Sequence, residues 1–270
     1  MNIARGLSAT SALVAASTFF ALPAFGQAYD TELVVNGSGE AGPASSNGMT
    51  VVPAPGWTSF GGFTVVAYGA SGFPVTGPGR GSKFFAGGPD ALFSTASQDI
   101  SLQAIAGDVD SGGVGYDLGA WLGGYGSQDD SASVTLLFND SQGQSLGTAG
   151  IQGPFATERQ FSTKLVWLVD SGFVPVGTRS ITIVISMART TGTYNDGYAD
   201  GVSLRLSAPV CDPDYDQSGV GDQSDVDYLI NVVSGGDNPT GRDPDFNRDG
   251  NPDQGDVDAL VNVIAGGVCP

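Results

Sequence analysis

The chain has 270 residues, with 28 acidic against 10 basic side chains, a formal charge of −18 and no histidine. That balance excludes a nucleic-acid binder, which needs cations facing phosphates; the missing imidazole excludes Ser-His-Asp, Cys-His and His-ligated zinc chemistry within the chain. A hydrophobic content of 40% is enough for a core despite 42 Gly and 15 Pro, which excludes a wholly disordered chain.

In chain order, Arg5 precedes an apolar run over 12–25, and small residues surround Ala24, Gly26 and Ala28. This is the order of a secretory signal peptide. The run is shorter than the ~20 apolar residues of a membrane span, and no cysteine follows it to accept a lipid. The expectation is a leader over 1–28, no membrane span, and a mature protein that is secreted or otherwise extracytoplasmic.

Residues 29–208 alternate between apolar and polar wherever they show a period. Ile181, Ile183, Ile185 and Met187 share one face, as do Val134, Leu136 and Phe138, and Val202, Leu204 and Leu206. A period of two marks strands buried on one side. Further strands are expected over 64–68, 83–86, 98–102, 115–122 and 161–169, with Gly-rich turns between them and no amphipathic helix. About nine strands predict a mainly β unit of two packed antiparallel sheets. Trp121 and Trp167 lie in apolar strands and are read as core.

The opening Leu33-Val34-Val35-Asn36-Gly37-Ser38-Gly39-Glu40, then Gly56-Trp57-Thr58, and the closing Gly197-Tyr198-Ala199-Asp200-Gly201-Val202-Ser203-Leu204 resemble the galactose-binding-like jelly rolls, which include many carbohydrate-binding modules. Gly39 stands where those relatives carry an aromatic. The resemblance implies a jelly-roll β-sandwich in which Glu40 and Asp200 meet beside one structural calcium; two solvated turn carboxylates are the alternative. It also implies a polysaccharide ligand, for which Trp57, Tyr125 and Tyr194 are candidate stacking faces and Gln128 a candidate polar partner. Asp129-Asp130 could be read as the carboxylate pair of a glycosidase. Neighbouring strand residues point to opposite faces, however, so no enzyme is expected.

A boundary falls near residue 209, at Ala208-Pro209-Val210. Residues 211–270 hold 13 Asp, no Glu and two Arg, and are bracketed by Cys211 and Cys269. In an oxidising compartment a bridge between these two would tie the segment's ends together; two unrelated thiols are the alternative. The segment repeats at a shift of 31: Asp212-Pro213-Asp214 matches Asp243-Pro244-Asp245, and Asp225-Val226-Asp227 matches Asp256-Val257-Asp258. Each copy predicts one short helix with an apolar stripe, Val226, Leu229, Ile230 and Val233 in the first and Val257, Leu260, Val261 and Ile264 in the second. Neither stripe can be buried alone, so the helices should pair.

A twelve-residue loop precedes each helix. In the first, oxygen-bearing side chains fall at positions 1, 3, 5, 9 and 12 as Asp214, Asp216, Ser218, Asp222 and Asp225, with Gly219 at 6 and Val220 at 7. In the second they are Asp245, Asn247, Asp249, Asp253 and Asp256, with Gly250 at 6 and Asn251 at 7. Calcium takes six to eight oxygens, and this spacing supplies them, with position 7 lending its carbonyl. Two calcium ions are expected.

The segment resembles a type I dockerin, a duplicated calcium-loop-plus-helix module. Residues 234–241 could not form the entering helix of a full EF-hand, and Asp at position 12 suits the dockerin pattern. The resemblance implies a cohesin-like partner met at positions 10 and 11, here Gln223, Ser224, Gln254 and Gly255. Position 8, an aliphatic residue in that family, is Gly221 in one copy and Pro252 in the other. A structural or self-associating role is the competing reading, alongside a surface-matrix protein that binds no sugar and a polysaccharide hydrolase.

Overall fold

A computed structural model describes residues 29–267 apart from 78, 210 and 248. The expected leader and Cys269 lie outside the described residues.

Ten strands form two five-stranded sheets, and every strand pair is antiparallel. The first sheet runs β1 (Thr58–Phe60), β4 (Phe93–Ser101), β9 (Ser180–Ala188), β6 (Ser131–Asn139), β7 (Ser145–Gln152). The second runs β2 (Thr64–Ala67), β3 (Lys83–Pro89), β10 (Tyr194–Ser207), β5 (Gly115–Gly124), β8 (Lys164–Phe173). Alternation explains the middle of the first sheet. Ile183 lies opposite Leu136 and Ile185 opposite Val134, and all four are fully buried.

The main core fills the space between the sheets, with Ile105 and Val109 closing one end from a 3₁₀ turn and a short helix α1 (Ala106–Ser111). No helix was expected there, because six residues are too few to show a period. Two strands were also unexpected. β1 is three exposed residues, and β7 is a Gly-containing edge strand with exposed side chains along most of its length.

The centre of the second sheet departs from simple alternation. In β10, Tyr198 and Asp200 point away from the core, whereas Ala199, Val202, Leu204 and Leu206 point into it. The register against β5 shifts between Asp200 and Ser203, and Gly201 sits in that shift at φ 57°. A bulge inserts one residue and resets which face the following side chains meet. Glycine suits the position, since a Cβ there would be strained and would press on Trp121 at 3.2 Å.

The C-terminal segment has its own small core, formed by α2 (Gln223–Val233), α3 (Gln254–Ile264) and the loops before them. Val226 and Leu229 are buried with Val257 and Leu260, as expected. The stripe is narrower than predicted: Ile230 and Val261, equivalent in the repeat, are exposed. Tyr215 and Phe246, position 2 of each loop, fill the space beside the helices with an edge-to-face contact at 5.8 Å. Cys211 packs against this core and is not a free thiol.

Replacing Ile183, buried on the central strand of the first sheet, by Ala should lower the sandwich's unfolding free energy by about 2–5 kcal/mol. Denaturant unfolding followed by tryptophan fluorescence measures it; a loss under ~1 kcal/mol would contradict a core centred on β9.

Candidate functional site

The second sheet is apolar on both faces. Val65 and Phe85 enter the main core, while their neighbours Val66, Phe84 and Ala86 join Leu165 and Tyr198 in a second buried cluster on the outer face. Tyr68, Phe73, Trp121 and Tyr194 pack around that cluster.

Trp121 and Trp167 belong to this outer face, not to the core between the sheets. They are register partners across β5 and β8, with ring centroids 5.6 Å apart, and Trp167 is 43% exposed. Gly119 makes room for the outer indole: a Cβ there would lie 2.5 Å from the Trp167 ring. Apolar residues flank both tryptophans in sequence, because β5 buries both faces and β8 carries exposed apolar side chains on its outer one, and this is why alternation misplaced them. Trp57 is the converse case. It is only 9% exposed, sits in the main core edge-on to Phe85, and donates its indole N–H to the Asn36 carbonyl. Its ring is therefore not a platform.

Polar groups line the same outer face. The Arg80 guanidinium lies 5.1 Å from the centre of the Trp121 ring and 5.3 Å from that of Tyr68, within cation–π range. Tyr68 donates its hydroxyl to Asp200 Oδ2 at 2.7 Å. Asp200 Oδ1, Arg80 Nη1, Gln128 Oε1 and the Tyr194 hydroxyl are buried, and none finds a hydrogen-bond partner in the chain. Burial pushes the Asp200 carboxyl up to about 7, against the opposing pull of Tyr68, the Gly201 N–H and Arg80. Burial likewise pushes Asp196 up to about 6, although Tyr198 donates a hydrogen bond to it.

Tyr125, 41% exposed, and Gln128 stand on the loop between β5 and β6. Arg159, fully buried, holds this loop by donating to the Gln128 carbonyl at 2.6 Å and bonds the Pro154 carbonyl as well. Sequence reasoning missed Arg159, whose neighbours carry no motif. Asp129 and Asp130 do not form a carboxylate pair facing a cleft. Asp130 is fully buried and accepts from Thr190, Thr191 and the Asp196 N–H. Asp129 accepts the Ala156 N–H at 2.9 Å.

Glu40 and Asp200 are bonded to different partners. Glu40 accepts from the N–H groups of Ser82 and Lys83 and from the Ser82 hydroxyl. The two carboxylates feel each other only as like charges.

In the C-terminal segment the two loops carry nearly the same hydrogen bonds. Asp214 accepts from the N–H groups of Ser218 and Gly219, and Asp245 from those of Asp249 and Gly250. Asp225 accepts from Asp216 and Asp222, and Asp256 from Asn247 and Asp253. Asp222 and Asp253 cap the helices. Asp214, Asp216 and Asp225 each offer one oxygen within 4.8 Å of the others. Ser218 and Val220 are exposed in this loop, as are Asp249, Asn251 and Asp253 in the second, where Asn247 is half-buried. Gln223, Ser224 and Gln254 stand exposed at the helix starts, with Gly255 half-buried.

No family profile matches the chain, and no curated protein matches it. Solved structures do. The structure described as Family 16 Carbohydrate Binding Module-2 is 18% identical, with 64% of this chain and 98% of that one covered and a TM-score of 0.42. TmCBM61, solved in complex with beta-1,4-galactotriose, is 20% identical over 66% of this chain and 99% of that one, with a TM-score of 0.38. The enzymatically active domain of tailspike protein 4 from bacteriophage CBA120 is 20% identical, with a TM-score of 0.42; 65% of this chain is covered but only 21% of that one. At these values the likenesses say nothing about ligand or activity.

The raised carboxyls have a stability consequence. Asp200 in the fold holds its proton up to about pH 7, whereas its ordinary value is 3.8. Between those values the folded chain binds more protons than the unfolded one, so this group's contribution falls as pH rises. Asp200→Asn should flatten that decline, read as the unfolding midpoint between pH 4.5 and about 7.5. An unchanged slope would mean that Asp200 ionises normally.

Proposed function

We propose that this is a secreted, noncatalytic protein of two parts, a sandwich that binds a glycan and a calcium-dependent docking module. The observation that carries the glycan reading is the outer face of the second sheet. Sugar rings offer a flat C–H face to aromatic rings and a rim of hydroxyls to polar side chains. Trp121 and Trp167 offer the aromatic surface. Arg80 Nη1 and Asp200 Oδ1, beside that surface, lack partners within the chain; both atoms are buried, so the Arg80 side chain must shift to open them to a sugar hydroxyl. Tyr125, Gln128 and Tyr194 stay in this reading at the margin of the face, and Trp57 leaves it.

For the module, the donor set fits calcium: hard oxygens from Asp214, Asp216, Ser218, Asp222, Asp225 and the Val220 carbonyl, and from Asp245, Asn247, Asp249, Asp253, Asp256 and the Asn251 carbonyl. Bound ions would neutralise carboxylates that otherwise repel one another. The backbone N–H groups already bonded to these side chains orient them, a support that raises affinity by reducing what must be ordered on binding. Gln223, Ser224, Gln254 and Gly255 then form the face offered to a cohesin-like partner. A Cys211–Cys269 bridge would close the module.

Two measurements test these halves separately. In affinity electrophoresis through soluble polysaccharides the chain should be retarded, and Trp167→Ala should weaken retardation at least tenfold, a change of about 1.4 kcal/mol, while leaving the unfolding midpoint nearly unchanged. Undiminished retardation would remove the face from the proposal. Calorimetry on the full chain should register two calcium ions, with Asp214→Asn removing one and Asp245→Asn the other, and helical ellipticity should rise on binding. No uptake, or ellipticity indifferent to chelator, would end the calcium reading.

A further inference from the structure

The jelly-roll resemblance implies a calcium between Glu40 and Asp200, yet the residues around them are already supplied with cations. Lys83, the first residue of β3, turns its ammonium back onto the opening loop. It donates to the Glu40 carbonyl at 2.9 Å and the Gly42 carbonyl at 2.6 Å. The contact is reciprocal, because the Glu40 carboxylate accepts the Lys83 N–H at 2.8 Å. Oε1 takes a second N–H from Ser82, and Oε2 takes the Ser82 hydroxyl. Burial raises the Glu40 carboxyl, but these bonds and the Lys83 charge together hold it below its ordinary value. Asp200 is held from the other side by Tyr68 and lies in the field of Arg80.

A calcium here would need six or more oxygens, several of them anionic. Within this chain it would compete with an ammonium for the carbonyls of Glu40 and Gly42. It would also draw the Glu40 carboxylate from three donors and approach two fixed positive charges, those of Lys83 and Arg80. The donor set does not fit the ion. An ammonium carries three donors and no acceptor, so a cluster of carbonyls at the end of a strand satisfies it without any anionic shell.

We propose that the Lys83 ammonium takes the place of the structural calcium in this sandwich, fastening the opening loop to β3 and leaving the sandwich independent of metal. The chain thereby separates its calcium dependence: the C-terminal loops respond to the ion, and the jelly roll does not. All three tryptophans, Trp57, Trp121 and Trp167, lie in the sandwich, so their fluorescence follows its unfolding alone.

The experiment is thermal unfolding of the full chain followed by tryptophan fluorescence, in millimolar calcium and in excess chelator. It is repeated in a chain carrying Asp214→Asn and Asp245→Asn, so that any shift originating in the C-terminal loops is recognised. The midpoint should be the same in both solutions, and Lys83→Met should lower it by about 5 °C or more in both, the scale of losing charged hydrogen bonds in a unit of this size. A calcium-dependent rise of the tryptophan midpoint in the doubly substituted chain would overturn the proposal, and so would a Lys83→Met chain as stable as the parent. The wild-type comparison stands even if Lys83→Met fails to fold. None of these outcomes depends on whether the outer face binds a glycan.

Discussion

A β-strand presents successive side chains to opposite faces, and β10 must serve two different surfaces with one run of residues. The bulge at Gly201 reconciles them. Up to Asp200 the strand supplies Tyr198 and Asp200 to the outer face; beyond it, Val202, Leu204 and Leu206 fill the main core. Because β10 pairs with both β3 and β5, a change of phase there fixes what those neighbours can show outward. The aromatic floor, the buried carboxylates and the indole pair on β5 and β8 all follow from it.

The burial of carboxyl groups under an aromatic layer is costly, since ionised groups lose water without gaining a full set of partners. The chain offsets this with phenol hydroxyls and a guanidinium near the acids, not with direct ion pairs. Among the described residues, the ion pairs within 4.0 Å are those of Arg179 with Asp110, Arg205 with Glu32 and Arg242 with Asp212, none of which involves Asp196 or Asp200. A site left partly unsatisfied is poorly suited to adding stability.

The fold was legible in the sequence where one face of a strand is wet. β6 and β9 alternate cleanly because their outer faces meet solvent, and their core residues were read correctly. β2, β3 and β5 lie under material on both sides, and β8 exposes apolar side chains on its outer face, so their sequences carry continuous apolar runs that hide which side is which. The displacement of Trp121 and Trp167 from core to outer face comes from that loss of period; Trp57, in the turn before β1, lies outside any periodic run, so its burial had no sequence signal. The C-terminal helices were legible through the 31-residue repeat, whose identity in both copies outweighed the short length of each helix. Their stripe was drawn one residue too wide at Ile230 and Val261 because Tyr215 and Phe246, in the loops, take the space that those residues would have filled.

That ring pair also gives the duplicated segment a direction. Tyr215 and Phe246 are images of each other under the repeat, but only the tyrosine carries a hydroxyl, which donates to the Asp243 carbonyl of the other copy at 2.6 Å. The corresponding carbonyl, that of Asp212, faces Arg242 instead. Exchanging the two rings, Tyr215→Phe with Phe246→Tyr, would therefore leave the Asp243 carbonyl without its donor and set the hydroxyl toward a carbonyl that Arg242 already faces. The halves share one pattern, yet each ring is matched to the carbonyl opposite it and the two are not interchangeable.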